Sequence, residues 1–140
     1  MKYKGTILRV NLSTGDIKTS PIPDELVRKY IGGRGLSAKI LYDELDPKVD
    51  PLSPDNKLIF ATGPLTGTNA PSGGRYEVSC KSPLTGTITG ANSGGQWGAH
   101  LRMAGVDVII FEGKAEKPVY LQITDGEYEL KSAEKLWGLD

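Results

Sequence analysis

"LIFATGPLTGTNAPSGGRYEVSCKSPLTGTITGANSGG", residues 58–95, carries one pattern twice. Pro-Leu-Thr-Gly-Thr opens residues 64–74 and again residues 83–95, and each stretch closes on Ser-Gly-Gly. Neither has the periodicity of a helix or a long strand, so both read as loops. "LIFAT" and "RYEVSC" read as the strands that feed them, the second alternating Tyr76, Val78 and Cys80 against Arg75, Glu77 and Ser79. A loop of Thr, Ser and Gly leaves backbone N–H groups outside sheet pairing and lets a ligand approach closely, which suits anionic oxygens such as phosphate. The second copy leads into a helix, whose first N–H groups also favour an anion. Two copies point to two related anchoring points or to a small internal pseudo-symmetry; tight turns in a β-rich fold would use the same residues.

Upstream, "TILRVNL" alternates with Leu8, Val10 and Leu12 on one face, and a turn over residues 13–16 makes residues 3–20 a β-hairpin. "PDELVRKYI" starts with Pro23 and two acids, as helix N-termini do. "GGRG", residues 32–35, reads as a break before a second helix, "LSAKILYDEL", and a Pro-rich loop follows. Downstream, "GGQWGAHLRMAG" holds a short helix weakened by Gly98, "VDVIIFEG" is the most apolar strand, and "PVYLQITDGEYELK" is a hairpin turning at Asp125-Gly126. Ser132 is placed to cap a last helix, "AEKLWGL". The fold class is therefore α+β: β-rich, antiparallel or mixed sheets with hairpins and a few short helices.

Composition narrows the function. In 140 residues, 38% apolar suits one domain with a modest core. Seventeen Lys plus Arg balance 17 Asp plus Glu, which argues against nucleic acid as a partner. No apolar run approaches the roughly 20 residues of a membrane span, and "MKYKGTILRVNL" lacks a signal-peptide pattern, so the cytoplasm is the expected location. One cysteine and one histidine cannot form a zinc or iron–sulfur ligand set. Of the 18 glycines, 11 fall between Gly63 and Gly113, a clustering that points to loop geometry.

No catalytic constellation stands out, and no catalytic residue is assigned. There is no G-x-x-x-x-G-K-[ST] or G-x-G-x-x-G. Arg34 in "GGRG" is a weak ligand candidate. Cys80, on the apolar side of its strand, reads as a buried, unreactive thiol, and His100 as a surface or packing residue. Trp97 and Trp137 read as core, and the acids of residues 43–50 as a solvated helix end and loop.

"RVNLSTGDI", "YIGGRGL", residues 50–95 and "EGKAEKPVY", in this order, resemble the N-terminal domain of the aldehyde ferredoxin oxidoreductases, the tungstopterin enzymes. The resemblance runs from Arg9 to Trp137. It implies β-sheets forming a saddle under a bis-pterin metal cofactor, with tungsten or sometimes molybdenum, in an enzyme that oxidises aldehydes to carboxylates and passes electrons through a [4Fe-4S] cluster to ferredoxin. By similarity, Arg75 in "GGRY" lies between pterin and cluster, where a planar fork of donors suits bridging. Asn92 offers its backbone carbonyl to a magnesium that bridges the pterin phosphates, Gly94 sits at a pterin phosphate, and Ser93 and Gly95 support them. The loops would then approach pterin and phosphate with bare backbone.

The cluster cysteines and the substrate pocket of that family lie downstream of the matched region. The resemblance therefore implies that residues 1–140 are a truncated N-terminal cofactor-binding domain, with the cluster not ligated by this chain. Partners would be the rest of the enzyme, ferredoxin and an aldehyde, and an apolar face left open would promote self-association. The alternative is a stand-alone, non-catalytic pterin- or phosphate-binding or assembly module.

Overall fold

The computed structural model describes residues 4–139. Its organising strand is "VIIFE", β6 (Val108–Glu112), in which Val108, Ile109 and Ile110 are all buried. A strand apolar on both faces needs cover on both and neighbours on both edges. On one edge β1 (Thr6–Asn11) runs parallel to it, Ile7 opposite Val108; on the other β3 (Lys57–Thr62) runs antiparallel, Ile59 opposite Ile110. With β2 (Ile17–Pro21), β4 (Tyr76–Lys81) and β5 (Ile88–Ser93) the sheet has the order β2-β1-β6-β3-β4-β5. The pairing is mixed and the class is α+β, as the hairpins and short helices of the sequence predict. The upstream hairpin begins at Thr6 in the structure; Tyr3, where the sequence starts it, lies outside the described residues.

Each face has its own core. On one, α2 (Gly33–Glu44) sets Leu36, Ile40 and Leu41 against Ile7, Ile59, Ala61, Val108 and Ile110, with α1 (Asp24–Tyr30) alongside. On the other, Leu8, Val10 and Ile109 meet Leu101 of α3 (Trp97–Met103) and a separate hairpin, β7 (Val119–Thr124) with β8 (Glu127–Ser132), which contributes Leu121, Ile123, Tyr128 and Leu130. Fully burying a side chain such as Ile110 contributes about 2 kcal/mol. The strand at residues 6–12 reads from sequence as half-buried. It is buried on both faces, because Ile7 lies under α2 while Leu8 and Val10 lie under the hairpin.

Four other expectations are corrected. The last helix does not form: residues 134–138 are turns, with Trp137 N–H donating to Ala133 O at 3.0 Å and Gly138 at φ 78° ending the run. Trp137 is 76% exposed and not core. "GGRG" is a helix break only at Gly32, since Gly33 is already the first residue of α2. The interruption begins one step earlier, at Ile31 (φ 67°, ψ −65°), with Gly32 N–H donating back to Tyr30 O at 2.7 Å. That geometry is the strained, positive-φ form of the γ-turn. Finally, the second repeat is not all loop, because its residues 88–93 form the edge strand β5.

A charge cluster ties α2 to the sheet. Glu44, at the end of the helix, takes a bidentate pair from Arg9 of β1, one contact being Nη1 to Oε2 at 2.9 Å. Glu112 of β6 accepts from both Arg9 and Lys57, and Lys57 Nζ also stands 3.5 Å from Glu44. Burial pushes the Glu44 carboxyl up, but the Arg9 guanidinium and the Lys57 ammonium outweigh it and hold the group below the ordinary value of 4.5. A carboxyl whose folded pKa is depressed contributes stability above its unfolded value and loses it as pH falls through the folded one. Glu44→Gln is therefore expected to cost about 1 kcal/mol at pH 7. The gap from wild type should close as pH drops below about 4.5, measured by urea denaturation at stepped pH. A gap that stays constant to pH 3 would refute the assignment.

Candidate functional site

A cleft of about 650 Å³ opens at the β4–β5 end of the sheet. Three segments frame it: the start of α2 (Gly32, Gly33, Arg34), the first repeated loop, and the β4–β5 pair with Arg75, Glu77 and Asn92. Glu77 is the one acid in the lining, against two arginines.

The first loop is held from behind. Thr66, 5% exposed, accepts from Gly63 N–H at 3.0 Å and donates to Arg75 O at 2.8 Å, so one hydroxyl ties the beginning of the loop to its end. Arg102 of α3 reaches under it and donates from Nη1 to Gly63 O, Pro64 O and Thr66 O at 3.1, 2.8 and 2.9 Å. Its Nε pairs with Asp107 Oδ1 at 3.0 Å. Three carbonyls that a loop would otherwise leave to water are thus answered by one guanidinium.

The polar face of β4 is the buried one. Alternation predicts Tyr76, Val78 and Cys80 inside, yet Glu77, Ser79 and Lys81 are 2%, 1% and 8% exposed, turned under α2. Each is satisfied there: Ser79 shares a 2.7 Å hydrogen bond with Ser37, and Lys81 Nζ donates to Pro47 O and Val49 O at 2.7 and 2.6 Å. Glu77 accepts from Arg34 Nε at 2.6 Å and from Asn92 Nδ2 at 3.2 Å. Asn92 Nδ2 also reaches Tyr76 O at 3.2 Å, and Asn92 Oδ1 accepts from Arg75 Nε. Cys80, expected to be buried, is only half-buried, and that partial burial pushes its thiol up, in keeping with an unreactive cysteine. Tyr76 and Val78 face the other way, Tyr76 packing against Trp97 as a tilted ring pair at a centroid distance of 4.4 Å. Trp97, expected in the core, is instead 42% exposed.

Of the residues singled out in the sequence, Arg75 and Asn92 are brought together, and Gly94 lies against Arg75, where a Cβ would stand 3.2 Å from Nη1. Ser93 is exposed and pairs with Tyr76 in the β4–β5 ladder. Gly95, at φ 84°, passes so close to Gly74 that a Cβ on Gly74 would be 2.6 Å from Gly95 O. The two repeats are not equivalent. The first lines the cleft, whereas the turn of the second carries Leu84 at 93% exposure and contributes only Asn92 of its strand to the lining. Glu77 and Arg102 escape sequence reading, because each lies on a stretch where a charged residue reads as a solvated one. Among the described residues no group of three or more His, Cys, Asp or Glu side chains is placed to hold a metal ion, and no helix is long and apolar enough to cross a membrane.

Residues 7–140 match the family described as aldehyde ferredoxin oxidoreductase, N-terminal domain. The chain is 60% identical over 134 residues to a tungsten-containing aldehyde ferredoxin oxidoreductase of Pyrococcus furiosus, an alignment covering 96% of this chain and 22% of that protein. It is 39% identical over 140 residues to the WOR-like subunit of an aliphatic sulfonate oxidoreductase of the same organism, covering 98% and 22% respectively. Among solved structures it is similar to a chain of the active site complex BamBC of benzoyl coenzyme A reductase in complex with 1,5-dienoyl-CoA. That match has a TM-score of 0.93 and 42% identity, over 96% of this chain and 20% of that one. The chain thus spans about a fifth of the length of these relatives.

Two outcomes follow from the geometry. Arg102→Ala leaves Asp107 and three loop carbonyls without that guanidinium, and a loss of about 3 kcal/mol in urea denaturation is expected. A loss under 0.5 kcal/mol, which is roughly what a surface substitution gives, would contradict the pinning role. Ile31→Gly relieves the positive-φ strain and is expected to raise stability by about 1 kcal/mol, net of the flexibility it adds to the unfolded chain. A lowered melting temperature would show that Ile31 is not strained.

Proposed function

The chain belongs to the aldehyde ferredoxin oxidoreductase family through its N-terminal domain, and on that premise we propose that the cleft is part of the seat of a tungstopterin cofactor in an aldehyde:ferredoxin oxidoreductase. The observation that carries this reading is the state of Arg75. Its Nε donates to Asn92 Oδ1, neither terminal nitrogen makes a hydrogen bond among the described residues, and the residue lines the cleft. A guanidinium fixed at one nitrogen and open at two is prepared for a planar or anionic acceptor.

The donor chemistry fits such a group. Arg34 and Arg75 supply positive charge, and Gly33, which opens on space, leaves backbone accessible in the lining. Asn92 and Ser93 belong to the edge strand, which offers N–H and C=O groups without a sheet partner, as an Asn92 carbonyl ligand to magnesium would require. With Glu77 the sole lining carboxylate, the other oxygens around a magnesium would come from cofactor phosphates and water. Gly94 and Gly95, following Ser93, would keep side chains out of the path between Arg75 and the phosphate. When bound, the tungsten centre supplies the two-electron oxidation of an aldehyde to a carboxylate, with water as the oxygen source. This chain's part is to hold and orient the pterin. The [4Fe-4S] ligands, the aldehyde pocket and the ferredoxin contact belong to the remainder of a cytoplasmic enzyme. The exposed Leu136, Trp137 and Leu139 support self-association of this stretch when it stands alone.

In the full-length protein, Arg75→Ala is expected to lower ferredoxin-linked aldehyde oxidation about 10- to 100-fold and to weaken tungsten retention. The melting temperature of the metal-free form should change little, since Arg75 is exposed. Unchanged turnover and tungsten content would sink the cofactor role of Arg75.

A further inference from the structure

Glu77 occupies an unusual position for an unassigned acid. It is 2% exposed, sits on the second strand from the sheet edge, and points its carboxylate toward the cleft end. Both oxygens are committed, Oε1 to Arg34 Nε at 2.6 Å and Oε2 to Asn92 Nδ2 at 3.2 Å. Arg34 is thereby anchored at its Nε, and its Nη2 donates to Gly90 O at 3.2 Å.

The second contact sets the direction of an amide. With Nδ2 held by Glu77 and by Tyr76 O, Asn92 must turn Oδ1 outward, and that oxygen accepts from Arg75 Nε. A reversed amide would set N–H against N–H and release Arg75. Gly90, opposite Ser79 in the ladder, makes room for this arrangement: a Cβ there would run into Glu77 Oε1 and would lie 3.3 Å from Arg34 Nε.

We propose that Glu77 is the positioning residue of the cleft, a buried carboxylate that fixes Arg34 directly and Arg75 through Asn92, so that two cations on different elements face the cleft in one geometry. The proposal rests on the reading of the cleft as a cofactor seat, and deepens it. With both oxygens engaged by protein groups, Glu77 acts through the two arginines and is not a catalytic residue. Removing the negative charge while keeping the shape, as in Glu77→Gln, replaces one acceptor oxygen by an NH₂ group that can only donate. Either Arg34 Nε then loses its acceptor or Asn92 Nδ2 is left with Tyr76 O alone.

The test measures how fast the full-length, tungsten-loaded protein loses tungsten on dialysis, read as metal per polypeptide by mass spectrometry, with the melting temperature of each metal-free variant alongside. Glu77→Gln is expected to lose tungsten roughly tenfold faster than wild type, the usual scale for an outer-shell partner. Because it acts through Arg34 and Arg75, adding Glu77→Gln to an Arg34→Ala, Arg75→Ala variant should speed tungsten loss no more than about twofold. Glu44→Gln, at the opposite end of α2, breaks a comparable ion pair and should retain tungsten as wild type does. Should Glu77→Gln fail to accumulate as folded protein, Gly90→Ala takes its place, displacing the carboxylate with every charge kept. A full tenfold further loss on adding Glu77→Gln to the Arg34→Ala, Arg75→Ala variant, or equally fast loss from Glu44→Gln, would overturn the proposal by reducing Glu77 to a contributor to stability. Tungsten loss from Arg75→Ala with normal retention in Glu77→Gln would overturn the role of Glu77 and leave the cofactor seat standing. Normal retention in Arg75→Ala would overturn the seat itself and the proposal with it.

Discussion

Asp107, the residue before β6, is the joint through which the sheet and the cleft depend on each other. It is 6% exposed, so its charge needs partners. Thr6 N–H donates to Oδ2 at 2.8 Å, and Arg102 Nε pairs with Oδ1 at 3.0 Å. Its backbone is engaged as well: its N–H donates to Thr6 O, and its carbonyl accepts from Thr62 N–H and Thr62 Oγ1. One residue therefore fixes where β1 begins, where β3 ends and where α3 lies. Through Arg102 it also fixes the loop that leaves β3. The central strands set the register, Asp107 transmits it to Arg102, and Arg102 hands it to Gly63, Pro64 and Thr66.

The cleft is built where the sheet runs out of apolar cover. From β1 to β3 both faces are hydrophobic. At β4 the face under α2 becomes polar, with Ser79 meeting Ser37, Lys81 meeting two loop carbonyls and Glu77 meeting Arg34. A buried polar row contributes little net stability, because each hydrogen bond replaces one to water. It does enforce a single arrangement, since any slip of β4 would strand a carboxylate and an ammonium. The site is thus placed on the part of the sheet that specifies geometry most strictly, beside an edge strand with unpaired backbone groups.

What the sequence makes legible is governed by period and by turn chemistry. "VDVIIFEG" and the two hairpins are readable because an apolar run and an Asp-Gly turn each have few alternatives. The resemblance of residues 9–137 supplies Arg75 and Asn92 as a pair, and the structure brings them into contact. The inversion of β4 is not readable. Tyr76, Val78 and Cys80 form the apolar set, and only knowledge that Ser37 and Arg34 lie above the strand turns Glu77, Ser79 and Lys81 inward. The missing final helix has a local cause, since "AEKLWGL" has helical composition but Gly138 takes a positive φ and Leu136 and Trp137 find no cover.

The glycines of the two repeats take on a different meaning in the structure. Bare backbone for a ligand is a reason that applies where a glycine opens on space, as at Gly33 in the lining. At Gly73, Gly74, Gly90 and Gly98 the space is already filled: by Leu65 O and Ala70 O, by Gly95 O, by the Glu77 carboxylate, and by Thr66 with Gly74 O. These four let chain pass close to chain. Gly74 meeting Gly95 closes the end of the first repeat on the end of the second, and Gly90 gives Glu77 its slot between β4 and β5. The duplicated Ser-Gly-Gly is accordingly a packing device before it is a binding one. The copies differ in what constrains them, since Gly74 meets Gly95 O whereas Gly94 faces Arg75 and Gly95 opens on space at φ 84°. Their Pro-Leu-Thr-Gly-Thr openings diverge into a pinned cleft wall and an exposed turn. A cleft that needs two arginines held in fixed relation is served by that construction, since the same close approach that excludes side chains from the loops leaves the carboxylate no second place to go.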